Sequence, residues 1–234
     1  MPTTLRVLSA GAAQGLIEKL GPGFTDETGI ALDVTFGPVG VTRDALVGGS
    51  PCDVVIISET FAAQLARSGH LAGKTEVALG KVHTGLCTRV GTTAPKISTP
   101  DDVAESLLAA DEICIADPER ATAGIHISRV LHQLGIEERV RDRLSVHPNG
   151  AAVVRAVAGS GAPRVLGCAQ VTEIIANARV HLVGPLPDAL DLATTYTASM
   201  SAHAEHPDLA LAFITLLTGP DASSARRDAG FLTA

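Results

Sequence analysis

Short apolar runs alternate with helix-patterned stretches almost from end to end of this chain, and that alternation limits most strongly what it can fold into. Residues 5–9 read as a strand, residues 14–28 as a helix closed by Gly29, and residues 31–36 as a second strand. Residues 41–47 fit a helix ended by Gly48-Gly49. The run Val54-Val55-Ile56-Ile57 is apolar without a break, as in a strand covered on both faces. A helix over residues 61–68 follows, with Ser58 or Thr60 placed to cap it. Strand and helix repeated in this way predict a parallel α/β sheet. With 234 residues, 46% of them apolar, the chain can bury a large core in one domain or two small lobes.

The pattern changes at residue 77. Residues 77–90 form a longer extended stretch, and Gly91-Thr92-Thr93-Ala94-Pro95 is a loop by composition. Ser98-Thr99-Pro100-Asp101-Asp102 opens a helix, with Pro100 suited to its first turn. Strands are expected at residues 112–116, 165–169 and 180–183, and helices at 124–134, 151–158 and 171–178. Residues 117–123 read as a loop and residues 194–200 as extended. A last helix spans about 207–217, followed by a helical tail. No repeat, charge block or linker interrupts the chain, which suits two lobes sharing crossing strands.

Several function classes are argued against. The formal net charge is −7, whereas phosphate-backbone binding needs a basic face. There is no Trp and one Tyr, too few for a base-stacking platform, so no nucleic-acid partner is expected. No apolar run reaches membrane-spanning length. The start, Met1-Pro2-Thr3-Thr4-Leu5-Arg6-Val7-Leu8-Ser9, lacks the basic region and apolar core of an export signal. The expected location is therefore cytoplasmic, or periplasmic or extracellular if a signal has been trimmed. Cys52, Cys87, Cys114 and Cys168 form no C-x-x-C pair and read as small buried hydrophobes. His203 and His206 have no evident third ligand, so no metal is expected. Neither a dinucleotide or phosphate-binding glycine motif nor a G-x-S-x-G elbow is present.

Seven segments, taken in order, resemble one family: Val7-Leu8-Ser9-Ala10-Gly11-Ala12, Glu27-Thr28-Gly29-Ile30, Phe36-Gly37-Pro38-Val39-Gly40, Cys52-Asp53-Val54-Val55-Ile56-Ile57-Ser58, Ala116-Asp117-Pro118-Glu119, Ala123-Gly124 and Gly167-Cys168-Ala169-Gln170. Together they resemble the type 2 periplasmic-binding-protein fold, in its molybdate-binding-protein-like branch. That resemblance implies an α/β fold of two lobes with mixed sheets and a ligand cleft between them. Residues 1–81 and 193–234 would form one lobe and 82–192 the other, with crossings near 78–83 and 189–196. Helix N-termini facing such a cleft would suit a small anionic ligand. Molybdate-binding members carry hydroxyl side chains in the first two loops; here those places hold Ala12 and Pro38-Val39, which argues against molybdate or tungstate. Two further segments, Gly85-Leu86-Cys87-Thr88-Arg89-Val90-Gly91 leading to Ile97-Ser98-Thr99-Pro100, and Gly167-Cys168-Ala169-Gln170-Val171-Thr172-Glu173-Ile174, resemble an aconitate-isomerase-like branch. Its members shift a double bond within an unsaturated tricarboxylate and use no cofactor.

A 1,3-proton shift beside a carboxylate needs a base and a fixed positive environment for the developing charge. His83, near the first crossing, is the first candidate base because imidazole titrates near neutral pH. Glu59, at the end of the buried strand 54–57, is the second; its alternative role is a helix-end carboxylate. Lys81 shares the face of His83 if the segment is a strand and is a candidate carboxylate ligand. Arg43 could hold a carboxylate bidentately or pair with Asp44. Gln170 stands where the family places a ligand-contacting side chain, and His126 opens a helix. Ala10, Gly11, Ala12, Pro38, Val39, Gly40, Ser58, Ala123, Gly124 and Ile125 complete the substrate-binding loops that the resemblance implies.

The leading expectation is a cofactor-independent isomerase acting on a small unsaturated di- or tricarboxylate. The alternatives are a non-catalytic binding protein for an oxyanion or organic acid, as transport receptor or sensor, and a regulator's ligand domain. The oligomeric state is left open.

Overall fold

The computed structural model describes residues 3–232, which form two compact units. The first is discontinuous: it combines the chain up to Val82 with the chain from Thr194 onward. Its elements are β1 (Thr4–Ala10), α1 (Gln14–Thr28), β2 (Ala31–Gly37), α2 (Val39–Val47), β3 (Val54–Ser58), α3 (Glu59–Arg67), and later α9 (Pro207–Thr218) and α10 (Ser223–Asp228). β1 pairs in parallel with β2 on one side and β3 on the other, and β9 (Ala193–Met200) runs antiparallel to β3. β3 is buried at all five positions, which is why its sequence shows no polar alternation before Ser58. α1 ends where Gly29 adopts φ 70°, a left-handed cap. Phe24 of α1 meets Phe213 of α9 edge-on, with ring centroids 5.1 Å apart.

A buried carboxylate joins the two stretches of this unit. Asp53 Oδ2 accepts the Arg6 N–H at 2.9 Å, and its Oδ1 accepts the N–H groups of Glu205 and His206 at 2.7 and 3.1 Å. Asp53 is almost fully buried, so these donors take the place of water.

The second unit runs from His83 to Ala193. Its elements are the later part of β4 (Val77–Arg89), then α4 (Pro100–Ala109), β5 (Glu112–Ala116), α5 (Thr122–Gln133), α6 (Glu137–Val140), β6 (Leu144–His147), α7 (Gly150–Gly159), β7 (Val165–Gln170), α8 (Val171–Ile175) and β8 (Val180–Pro185). β5 pairs in parallel with β6 and β7, while β4 is antiparallel to both β7 and β8. The sheet is mixed, and its two faces bury different sets of side chains. Leu86, Ile113, Ile115, Leu166 and Cys168 pack with residues of α4 and α5, and Cys87, Cys114, Val165 and Ala169 pack with α7. This is the period-2 alternation of a sheet covered on both sides.

All four cysteines are free and buried. Burial pushes the thiols of Cys52, Cys87 and Cys114 up to about 12, so they stay protonated and act as small apolar side chains. Among the described residues, no helix is long and apolar enough to cross a membrane.

Replacing Asp53 by Ala leaves three backbone donors without their acceptor in a closed interior. The expected loss is about 3 kcal/mol of unfolding free energy, from the cost of unsatisfied buried polar groups. Urea titration of the full chain checks it, with Asp53→Asn losing less because it keeps one acceptor oxygen.

Candidate functional site

In the first unit, parallel pairing sets three strand ends side by side. Ala10 pairs with Gly37, and Ser9 with both Phe36 and Ile56. The segments Ala10-Gly11-Ala12, Pro38-Val39-Gly40 and Ser58-Glu59 thus leave the same edge of that sheet. Ala10, Ala12, Val39 and Ser58 are buried, and the Ser58 hydroxyl makes no capping bond. Ser9 turns its hydroxyl onto the carbonyl of Ala10 at 3.0 Å. Pro38 precedes α2, and the first backbone donor to close a helical bond is Thr42, onto the Pro38 carbonyl at 2.9 Å. The earlier N–H groups of that turn have no partner within the helix, so this edge offers a ligand mainly backbone donors.

The charged candidates of this unit are engaged elsewhere or exposed. The Arg43 guanidinium pairs with the adjacent Asp44 at 2.6 Å and stacks over Phe61, 4.9 Å from the ring centroid. Here its side chain forms the surface ion pair with Asp44 that was the alternative to a carboxylate clamp. Glu59 is the first residue of α3 and is exposed, the placement of a carboxylate favoured by a helix N-terminus. Lys81 is exposed, and its backbone exchanges two hydrogen bonds with Leu232 at 2.9 and 2.8 Å.

The second unit gathers the groups with more chemistry. His83 lies in β4, and its Nδ1 is 2.7 Å from Oδ2 of Asp191. The His83 side chain is 29% exposed and that of Asp191 16%. Asp191 Oδ1 is buried with no hydrogen-bond partner. Immediately before it, the Leu190 carbonyl accepts from Nε2 of His126 at 2.7 Å. His126 is buried, and desolvation lowers its pKa, so the ring is a neutral Nε2–H donor. Its Nε2 holds the backbone that carries Asp191.

Gln170 ends β7 directly opposite Thr84 in β4. Both are buried, and the Thr84 hydroxyl and both amide atoms of Gln170 lack partners. The Thr172 hydroxyl, two residues on, is buried and unpartnered as well. Strand alternation sets Thr84 and Gln170 on the face of Leu86 and Cys168, and turns His83 to the other side of β4. At the start of α5, Ala123 and Gly124 are buried. A Cβ on Gly124 would lie 2.2 Å from the Asp117 carbonyl and 2.4 Å from that of Ala116, so only glycine lets the helix approach β5 this closely. Ile125 donates its N–H to the Ala121 carbonyl at 2.9 Å and is already part of the helical ladder.

Glu173 is a buried carboxylate that sequence reasoning did not single out. Its carboxylate rests on Gly150, the first residue of α7, where a Cβ would lie 1.8 Å from Oε2. It accepts the Gln170 N–H at 3.2 Å and is hydrogen-bonded by the Ala151 backbone. Burial pushes its pKa up to about 7 against the opposing pull of those two donors. The segment around Glu173 was singled out by its resemblance, but nothing local marks which carboxylate is buried. Asp191, Thr84 and Thr172 were also missed, because their partners or their lack of partners are set by pairing across the sheet. Among the described residues, no three His, Cys, Asp or Glu side chains gather as a metal site requires.

The profile of the family described as bacterial extracellular solute-binding protein matches residues 5–232. An aconitate isomerase from Pseudomonas sp. is 31% identical over 97% of this chain and 87% of its own length. The molybdate-binding protein of Escherichia coli (strain K12) is 21% identical over 97% and 88%. Among solved structures, the periplasmic molybdate-binding protein of Azotobacter vinelandii superposes with a TM-score of 0.82 at 20% identity, covering 98% of this chain and 99% of the other. The sulfate-binding protein of Mycobacterium tuberculosis H37Rv gives 0.76 at 17% identity, covering 98% and 86%. These likenesses give the expected α/β, two-lobed type 2 periplasmic-binding fold.

Two outcomes follow for Glu173. Folded, it binds its proton more tightly than the unfolded carboxylate, whose ordinary value is 4.5. Its contribution to stability is therefore fully present below about pH 4.5 and is lost as pH rises through about 7. Chemical denaturation from pH 4.5 to 8 should show this slope, and Glu173→Gln should flatten it. Gly150→Ala forces the carboxylate off α7 and is expected to cost about 1–3 kcal/mol, typical of overpacking, read as a fall in the midpoint of thermal unfolding.

Proposed function

We propose a function for this chain from one premise: it belongs to the bacterial extracellular solute-binding protein family. The proposal is a cofactor-independent isomerase that moves a double bond within a small unsaturated di- or tricarboxylate. The observation that carries it is the 31% identity to an aconitate isomerase over 97% of the chain, well above the identity to the molybdate-binding relative. Site chemistry supports it. The partly exposed imidazole of His83, with Nδ1 against Asp191, has Nε2 available as a proton acceptor. The backbone donors after β1 and β2 suit anions without the hydroxyls that an oxyanion receptor places there.

In this reading Nε2 of His83 removes a proton from the methylene carbon next to the double bond. The C–H bond breaks, an N–H bond forms, and the electron pair delocalises through the double bond into a carboxylate. Return of a proton from Nε2 to the far carbon breaks the N–H bond and leaves the shifted isomer. No oxidant, reductant or leaving group enters the balance. Fixed donors stabilise the charge that builds on the carboxylate in the intermediate.

A second reading, binding of a small organic acid or oxyanion without turnover, is favoured by the family's description and by the oxyanion-binding neighbours. The two are separated by incubating the protein with cis- and trans-aconitate and other unsaturated di- and tricarboxylates in D₂O and following proton NMR. Double-bond migration, or deuterium entering the methylene, is expected, with His83→Gln slowing it at least about 100-fold. Ligand line broadening or a thermal shift with no exchange would replace the isomerase with the binding protein.

A further inference from the structure

We infer that Asp191 is the positioning residue of His83: it fixes which ring nitrogen carries the proton and stabilises the imidazolium formed when Nε2 takes a second one. This rests on the isomerase reading for its consequence in turnover, but the pairing itself is a property of the folded second unit.

Nδ1 of His83 lies 2.7 Å from Oδ2 of Asp191. An ionised carboxylate only accepts, so the hydrogen lies on Nδ1 and the neutral ring keeps a bare lone pair on Nε2. With the tautomers reversed, two lone pairs would face each other at that distance. The second oxygen adds to this. Oδ1 of Asp191 is buried and unpartnered, so the carboxylate's charge is incompletely compensated while His83 is neutral. Protonation of the ring supplies the missing positive charge. An imidazolium would keep the same Nδ1 hydrogen bond to Oδ2, now charge-assisted.

The support of Asp191 shows why the carboxylate stays in place. Leu190 is buried, and its N–H donates to the Pro187 carbonyl at 2.7 Å. Its own carbonyl is gripped by His126 at 2.7 Å. The residue before Asp191 is therefore held by packing and by a hydrogen bond at each end. A tether of the loop to β4 would need only some hydrogen bond at this place. A positioning role needs a carboxylate, and that difference can be measured.

The test compares the full-length protein with Asp191→Asn by ¹⁵N–¹H long-range correlation of the histidine rings, with His83 assigned from the spectrum of His83→Gln. The wild type should show His83 with the hydrogen on Nδ1. Asn offers both a carbonyl and an amide N–H, so the variant should show a mixture that includes the Nε2–H form. Turnover of the substrate found above should fall about 10²- to 10⁴-fold in kcat with KM changed little, and Asp191→Glu should restore part of it. If Asp191→Asn does not fold, Asp191→Glu still decides, because it must keep the Nδ1–H tautomer. An unchanged tautomer in Asp191→Asn, or a wild type with its hydrogen on Nε2, overturns the inference. Absence of turnover on every unsaturated acid would sink the isomerase reading instead, while the ring spectra would still judge the pair.

Discussion

The carboxylate of Asp53 is the contact on which the first unit depends. That unit is assembled from two stretches of chain separated by more than a hundred residues of the second. Closing so long an excursion costs chain entropy that grows only slowly with length, but it must be offset by contacts made on return. Apolar packing of α1 against α9 supplies the bulk of them, without fixing register. The antiparallel β3–β9 ladder supplies the register, and Asp53 adds a buried polar tie beside it. Asp53 lies one residue before β3 and collects N–H groups from β1 and from the turn that leads into α9. The Arg6–Glu205 ion pair repeats the connection at the surface, where solvent weakens it.

Elements with a strong pattern were legible in the sequence, and those whose pattern comes from tertiary context were not. The unbroken apolar run at Val54 to Ile57 could hardly be anything but a covered strand, and Gly29 marked the end of α1. Pro100 with Asp101 and Asp102 marked α4, where Thr99 and Asp102 form a capping box. β6 and α6 went unread. Leu144-Ser145-Val146-His147 is short and lies at the sheet edge, and Val146 faces solvent, so its apolar residues form no continuous run. α6 is a single turn with one buried residue, Val140.

For the candidate site, sequence position located residues but not what they face. His83 stood out because of where it falls in the chain, whereas its partner Asp191 is 108 residues away and looks like any loop aspartate. Glu59 and Arg43 carried the right chemistry for a carboxylate site, yet one is exposed at a helix start and the other is paired with its neighbour. Burial separates Glu173 from them. Its carboxylate lies where Gly150 leaves space, a relation between residues 23 positions apart that no local motif encodes. Glycine at 150 is explained by Glu173 rather than by its backbone, just as glycine at 124 is explained by the carbonyls of Ala116 and Asp117.

A solute-binding fold needs little change to host proton transfer. Binding an acid already requires fixed donors directed at carboxylate oxygens, and those donors stabilise an electron pair that moves into the same carboxylate. What must be added is a base whose free nitrogen is defined and whose charged form has a waiting partner. In the proposed reaction these requirements would fall on two neighbouring features of the second unit: the ring of His83 and the segment Leu190-Asp191. Strand alternation puts Thr84 and its neighbour Gln170 on the other face of β4 from this ring, so they are not part of the pair. A receptor lacking the pair would still bind its acid, and adding the pair to such a receptor is a small chemical step.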